Sequence, residues 1–187
     1  MDTTVIRVAA FAGSLRRESL NRRLVEAARE LAPEGMEIDH ILLDSVPLFN
    51  VELEADPPPG VVDFKARIAA ADAVLMAVPE HNFSFSGVLK NAIDWASRPP
   101  RRDVLTGKPV ATMSASPSWT GGLRAQIQLR PVLGYFPMEV MLFPEVCIGK
   151  AHEKFDESGR LADEFAREQV QKLMNAFHAF VVERKNR

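Results

Sequence analysis

Compact apolar runs alternate along the chain with longer stretches in which apolar residues recur every three or four positions. That is the pattern of repeated strand–helix units around a sheet buried on both faces. Five such units can be read. The spacing predicts a strand over 6–13 and a helix over 21–31, with Leu20, Leu24, Ala27, Ala28 and Leu31 on one face and Pro33, Glu34 and Gly35 ending it. A second strand is expected over 37–43, and a helix over 61–71 entered through the stiff run Pro57, Pro58, Pro59 and Gly60. The third unit is a strand over 73–78 stopped by Pro79, then a helix over 86–97 closed by Pro99 and Pro100. A fourth strand over 110–115 follows Gly107, Lys108 and Pro109 and leads to a helix over 121–133. The fifth strand begins over 139–143 and continues or bends after Pro144 toward Ile148. A last helix over 161–184 takes Phe165, Val170, Leu173, Phe177, Phe180 and Val181 as its buried stripe.

With 187 residues, 47% of them hydrophobic, the chain can bury one sizeable core, and a single domain over 1–187 is the expected organisation. The net charge is −2 with both signs interspersed, which leaves neither a nucleic-acid footprint nor a strongly acidic docking face. The basic end, Arg184, Lys185, Asn186 and Arg187, reads as a solvated helix terminus. Cys147 has no second cysteine to pair with, so the reducing cytoplasm is the expected compartment, and its apolar neighbours Val146 and Ile148 mark it as a packed thiol rather than a nucleophile. No apolar run is long enough to span a bilayer, and the first one is too short for a secretory leader, so no membrane partner is expected.

Three loops fall at the strand-to-helix edge where open parallel sheets bind ligands. In the first, Gly13 permits close backbone approach, Ser14, Ser19 and Asn21 offer side-chain hydrogen bonds, and Arg16 and Arg17 add charge. The free N–H groups of the first helical turn complete an anion cradle. The competing reading makes Ser19 or Asn21 a helix cap and leaves the arginines in solvent. In the second loop, Pro79, Glu80, His81, Asn82 and Phe83 present a carboxylate, an imidazole, an amide and an aromatic ring in succession. They suit a planar heteroaromatic ring, although taken alone Phe83 and Phe85 read more readily as core anchors and His81 as a surface residue. The third loop, with Ser114, Ser116, Ser118, Thr120, Gly121 and Gly122, is either another edge of the same crevice or a turn capped by Thr120. A dinucleotide fingerprint, a P-loop and a nucleophile elbow are all absent, and the four histidines have no metal-ligand spacing.

Taken in order, these motifs resemble the NADPH-dependent FMN reductase family of flavodoxin-like proteins, in its quinone, chromate and azo-reductase branch. The residues that carry the resemblance are Gly13, Ser14, Leu15, Arg16, Ser19 and Asn21; Pro79, Glu80, Asn82 and Ser84; the run from 87 to 95; the run from 107 to 110; and Gly121, Gly122, Arg124, Ala125 and Gln126. The resemblance spans about residues 5–165. It implies a three-layer α/β sandwich with a five-stranded parallel sheet of order 2-1-3-4-5 and FMN at the carboxyl ends of the strands. It further implies that Ser14, Arg16, Ser19, Leu20 and Asn21 hold the FMN phosphate. Pro79, Glu80, His81, Asn82 and Phe83 would border the ring, and Ser114 and Ser116 would lie by its other edge. Family members usually carry tyrosine where this chain has His81 and Phe83.

The activity implied is transfer of two electrons from NADPH or NADH through bound FMN to a quinone, an azo or nitro aromatic, free flavin or an oxidised metal ion such as chromate. No side chain is assigned as a catalytic acid or base, and no metal is expected. The family also implies a homodimer or homotetramer, with the helices over 86–97, including Trp95, and 121–133 offering residues that could serve as faces or could equally be ordinary core. Histidine side chains titrate near pH 6.5 in model peptides. Protonating His81 would place a cation beside the ring, so turnover should bend near that pH and the bend should vanish in His81→Tyr. Two other functions remain open at this point: a non-enzymatic electron carrier of the flavodoxin type, which Arg16, Arg17, Arg101 and Arg102 disfavour, and a flavin-free α/β binding module.

Overall fold

The computed structural model describes residues 5–100 and 103–186. Its centre is a sheet in which β1 (Ile6–Ala12), β3 (Ala73–Ala77) and β6 (Pro109–Ala115) carry almost uninterrupted apolar sequence, as strands covered on both faces must. β2 (Met36–Ile41) lies outside β1, and all the pairings in this sheet are parallel. The order is β2-β1-β3-β6, followed by the edge, so the expected 2-1-3-4-5 arrangement is present.

The edge differs from the expected single strand over 139–143. Two short strands share it: β7 (Glu139–Val140) pairs with the start of β6, and β8 (Val146–Ile148) with its end. Pro144 lies between them and has no N–H to donate to the ladder. Leu142 and Phe143, which the pattern assigned to the strand, are exposed there.

Helices cover both faces. On one, α1 (Leu20–Glu30) and α5 (Glu164–Lys185) bury Leu24, Val25, Ala28, Leu173, Met174 and Phe177 against Val8, Leu75 and Met113. On the other, α2 (Pro59–Ala70), α3 (Gly87–Ala96) and α4 (Leu123–Tyr135) bury Phe64, Ile68, Leu89, Ile93 and Leu129 against Phe11, Val74 and Met76. Each fully buried side chain of this size contributes about 1.5–3 kcal/mol from its removal from water.

Three local expectations need correction. Helix α5 begins at Glu164, capped by Asp163, whose Oδ1 accepts from the Ala166 N–H at 2.9 Å. Phe165 therefore sits in the first turn and is exposed rather than part of the stripe. The basic end is not simply solvated: Arg184 pairs with Glu139 and lies over the Phe180 ring, and Lys185 reaches Asp72 at 2.7 Å. Trp95, offered above as part of an association face, is 1% exposed, and its indole N–H donates to the Pro47 carbonyl at 2.8 Å. Arg101, Arg102 and Arg187 lie outside the described residues.

Candidate flavin-binding crevice

The loops after β1, β3 and β6 meet at the carboxyl edge of the sheet, as the sequence predicts, and enclose a crevice of about 330 Å3. That is within the range of small-molecule sites, roughly 300–1,000 Å3. It stands where the strand order reverses, between β1 and β3. Larger hollows lie elsewhere, among them one of about 640 Å3 between α1 and the 158–161 turn and one of about 530 Å3 between α3 and α4. Neither lies at that edge. In the first, Arg23, Arg29 and Arg160 are already paired with Glu18, Glu26 and Asp156.

The first wall is built on the start of α1. Ser19 is its N-cap, and its Oγ accepts from the Arg22 N–H at 3.4 Å, a type of cap that contributes about 1 kcal/mol. Leu20 and Asn21, the next two residues, have backbone N–H groups with no carbonyl a turn behind them, and these remain for an outside acceptor. Ser19 is therefore both the cap and a wall of the crevice, which also takes in Ser14, Arg16, Leu20 and Asn21.

Two other side chains fix this wall. The Asn21 amide donates to the Ala115 carbonyl at 2.9 Å and its oxygen accepts from the Ala115 N–H at 3.0 Å, so both ends of the side chain are committed to β6. Asn21 thus contributes placement and a backbone N–H, in place of the free amide that the sequence suggested. Arg22, which the sequence reading passed over, donates from Nε to the Ser14 carbonyl at 2.8 Å and from its terminal nitrogen to Asp44 at 2.5 Å. Arg17 faces the hollow beside α1 rather than the crevice. The lack of a side chain at Gly13 serves close approach of protein to protein: a Cβ there would stand 2.7 Å from Ser86 Oγ and Leu89 Cβ.

Pro79, Glu80 and His81 form the second wall. The sequence suggested a plain loop, but Glu80–His81 (β4) and Ser84–Phe85 (β5) form an antiparallel hairpin with Asn82 and Phe83 at its turn. Both turn residues have positive φ, 49° and 67°, the geometry that matches the twist of two-residue hairpins. Asn82 suits it, while Phe83 gives no such signal in the sequence. Asn82 and Phe83 stand on the outer tip, away from the crevice lining, and Phe83 is 65% exposed, so it is not the core anchor considered above. Phe85 is half-buried against the α2–α4 layer.

Helix α4 holds the hairpin. Arg124 reaches Glu80 Oε1 at 2.6 Å and lies 4.1 Å from the centre of the Phe83 ring, and Gln128 donates to the Phe83 carbonyl at 2.5 Å. The Glu80 side chain is only 10% exposed, and its Oε2 is enclosed with no hydrogen-bond donor among the described residues.

The third wall consists of Ala115, Ser116 and Pro117. Ser114 lies behind it, fully buried, and accepts from the Gln126 amide at 2.7 Å; the expectation that it borders the ring is corrected accordingly. The same amide donates to the Val146 carbonyl and the Cys147 thiol, and the Gln126 oxygen accepts from Thr112, so one buried side chain ties α4 to β6 and β8. Burial pushes the Cys147 thiol up, which keeps it protonated and packed. Thr120 is not the cap of α4: Gly122 occupies that place at φ 93°, where a Cβ would stand 2.8 Å from the Ser114 side chain. His152, set aside in the sequence, completes the crevice from the short 3-10 turn after β8.

An α/β sheet with an open helix terminus and two further loops around a crevice at its switch point defines a mononucleotide-binding protein of flavodoxin-like fold. The chain belongs to the NADPH-dependent FMN reductase family, whose model matches residues 6–153. It is 44% identical over 177 residues to an NAD(P)H-dependent FMN reductase of Pseudomonas aeruginosa, covering 94% of this chain and 95% of that one. A quinone reductase of Pseudomonas putida is 41% identical over 178 residues, with 95% of each chain covered. Among solved structures, the flavoenzyme NAD(P)H:(acceptor) oxidoreductase FerB of Paracoccus denitrificans superposes with a TM-score of 0.88 at 36% identity, over 96% of this chain and 99% of the other.

The crevice fits the family's cofactor. It offers the unpaired backbone donors of Leu20 and Asn21, the hydroxyls of Ser14, Ser19 and Ser116, and one guanidinium, Arg16, for a phosphate. Its two carboxylates are already matched, Glu18 with Arg23 and Glu80 with Arg124, so neither opposes an anion with an uncompensated charge.

Proposed function

We propose that this protein is a cytoplasmic, single-domain NAD(P)H-dependent flavoenzyme that reduces quinones, with azo and nitro aromatics, free flavin or oxidised metal ions such as chromate as further acceptors. The observation that supports the reading best is the convergence of the anion-accepting start of α1 with the Glu80–His81 hairpin in one open crevice of a chain from this family. Bound FMN supplies two-electron transfer between a nicotinamide donor and an acceptor.

The chain's own part is binding and orientation. Ser14, Arg16, Ser19 and the N–H groups of Leu20 and Asn21 hold the phosphate at the positive end of the helix dipole. Pro79, Glu80 and His81 border the ring on one side and Ser116 on the other, while Asn82 and Phe83 on the hairpin tip face whatever enters next. No side chain of the crevice is given the role of acid or base, because the cofactor performs the chemistry and the open face lets donor and acceptor take turns. The exposed Ile127 and Tyr135 of α4 give a homodimer or homotetramer a contact face in place of Trp95.

The test is the absorption spectrum of the purified protein, followed by anaerobic titration with NADPH and then NADH. A yellow protein bleached by either nucleotide and reoxidised by benzoquinone in steady turnover supports the proposal. A flavoprotein with no sustained NAD(P)H oxidation would be an electron carrier. A colourless protein that acquires no flavin bands when FMN is added would be a flavin-free binding module.

A further inference from the structure

The geometry points to His152 as a direct partner of the cofactor phosphate, a fourth side of the anion site supplied by the turn after β8. The inference rests on reading the crevice as the FMN site.

Position on the sheet separates the two crevice histidines. His81 lies on the hairpin that packs on α4, in the layer of α2, α3 and α4. His152 follows Ala151, which is buried with α1 and α5 in the opposite layer. The anion cradle belongs to α1, so His152 shares its side of the sheet and His81 does not.

The turn that carries His152 is fixed by main-chain bonds to the third wall. Ser116 donates to Ile148 at 3.0 Å, and Lys150 and Ala151 donate to Ser118 and Ser116 at 3.1 and 3.0 Å. Gly149 passes so close to the Trp119 carbonyl that no side chain fits between them. Because Asn21 joins α1 to Ala115, one residue before Ser116, cradle and turn are parts of one frame.

Charge supplies the third argument. A phosphate monoester carries close to two negative charges, and the crevice matches it with one guanidinium, that of Arg16. Arg22 is engaged with Ser14 and Asp44, and Arg17 faces elsewhere. Among the described residues the His152 side chain pairs only with its neighbour Glu153, at 3.5 Å, and it is 55% exposed, so it can turn toward an anion.

The experiment compares FMN with riboflavin, which lacks the phosphate, by fluorescence titration of the deflavinated full-length protein. His152→Gln should weaken FMN about fivefold while riboflavin affinity stays within twofold, and His152→Lys should restore FMN affinity, as a half-exposed charge-assisted contact would. Unchanged FMN affinity in His152→Gln, or equal loss for both ligands, would overturn the inference. Arg16→Gln separates this failure from that of the underlying reading. If it changes the FMN-to-riboflavin ratio and His152→Gln does not, only the role of His152 falls; if neither changes it, the crevice is not the phosphate site.

Discussion

The two long walls of the crevice are built in opposite ways. On the α1 side, Asn21 is nearly inaccessible and doubly bonded to Ala115, Ser19 caps the helix, and Arg22 ties the loop to Asp44. On the α4 side, a two-residue turn carries an exposed phenylalanine and is held from outside by Arg124 and Gln128. The first wall is pinned by the side chains of Ser19, Asn21 and Arg22 while the Leu20 and Asn21 N–H groups stay open, and it is suited to keeping a cofactor tail in one place. The second is wet at its tip and can adjust to ligands of different shape, as an enzyme with alternating donor and acceptor requires.

The largest effect should come from the rigid wall. Asn21→Ala removes both bonds to Ala115 and leaves a buried donor and acceptor without partners, an expected loss of about 2–4 kcal/mol in urea unfolding. Arg22→Met should cost less stability, about 1–2 kcal/mol, yet weaken FMN roughly tenfold in the same fluorescence titration, because Ser14 loses its tether. Arg124→Ala should do the reverse, changing the KM for quinone severalfold while FMN affinity stays within about threefold. Equal loss of FMN affinity in Arg22→Met and Arg124→Ala would erase the distinction between the walls.

His81→Tyr is a finer probe of the second wall. It should change the KM for quinone less than Arg124→Ala does, without altering the melting temperature by more than a few degrees. The smallest effect concerns neither wall. A hydrogen bond from Arg67 holds the Asp39 carboxyl below its usual range. Because the folded value is the lower one, this contribution is complete above about pH 4 and is lost as the pH falls through the folded value. Arg67→Met should therefore shrink the acid-induced part of unfolding and leave FMN binding at pH 7 unchanged.

Most of the sheet is visible in the amino-acid pattern because β1, β3 and β6 are buried on both faces, and a run of apolar residues between Gly and Pro permits little else. The features that escape that pattern depend on partners distant in sequence. The Glu80 hairpin relies on Arg124 and Gln128, more than 40 positions away, and its turn holds a phenylalanine in backbone geometry that favours glycine or asparagine. Ser114 looks like a ligand hydroxyl until Gln126 is seen to claim it. Arg22 carries no motif of its own, although its spacing from Ser19, one helical turn, hints that it can reach back over the loop. His152 is one of four histidines without metal-ligand spacing, a criterion that says nothing about a crevice rim.

The interrupted margin of the sheet has its own consequence. Beside β6, backbone pairing runs for two residues at β7, stops, and resumes for three at β8, with a proline in the gap. A continuous outer strand would present a row of amides on which another chain could propagate into fibrils; this border offers only fragments. The folded sheet is thereby shielded on that flank from edge-to-edge pairing with another copy.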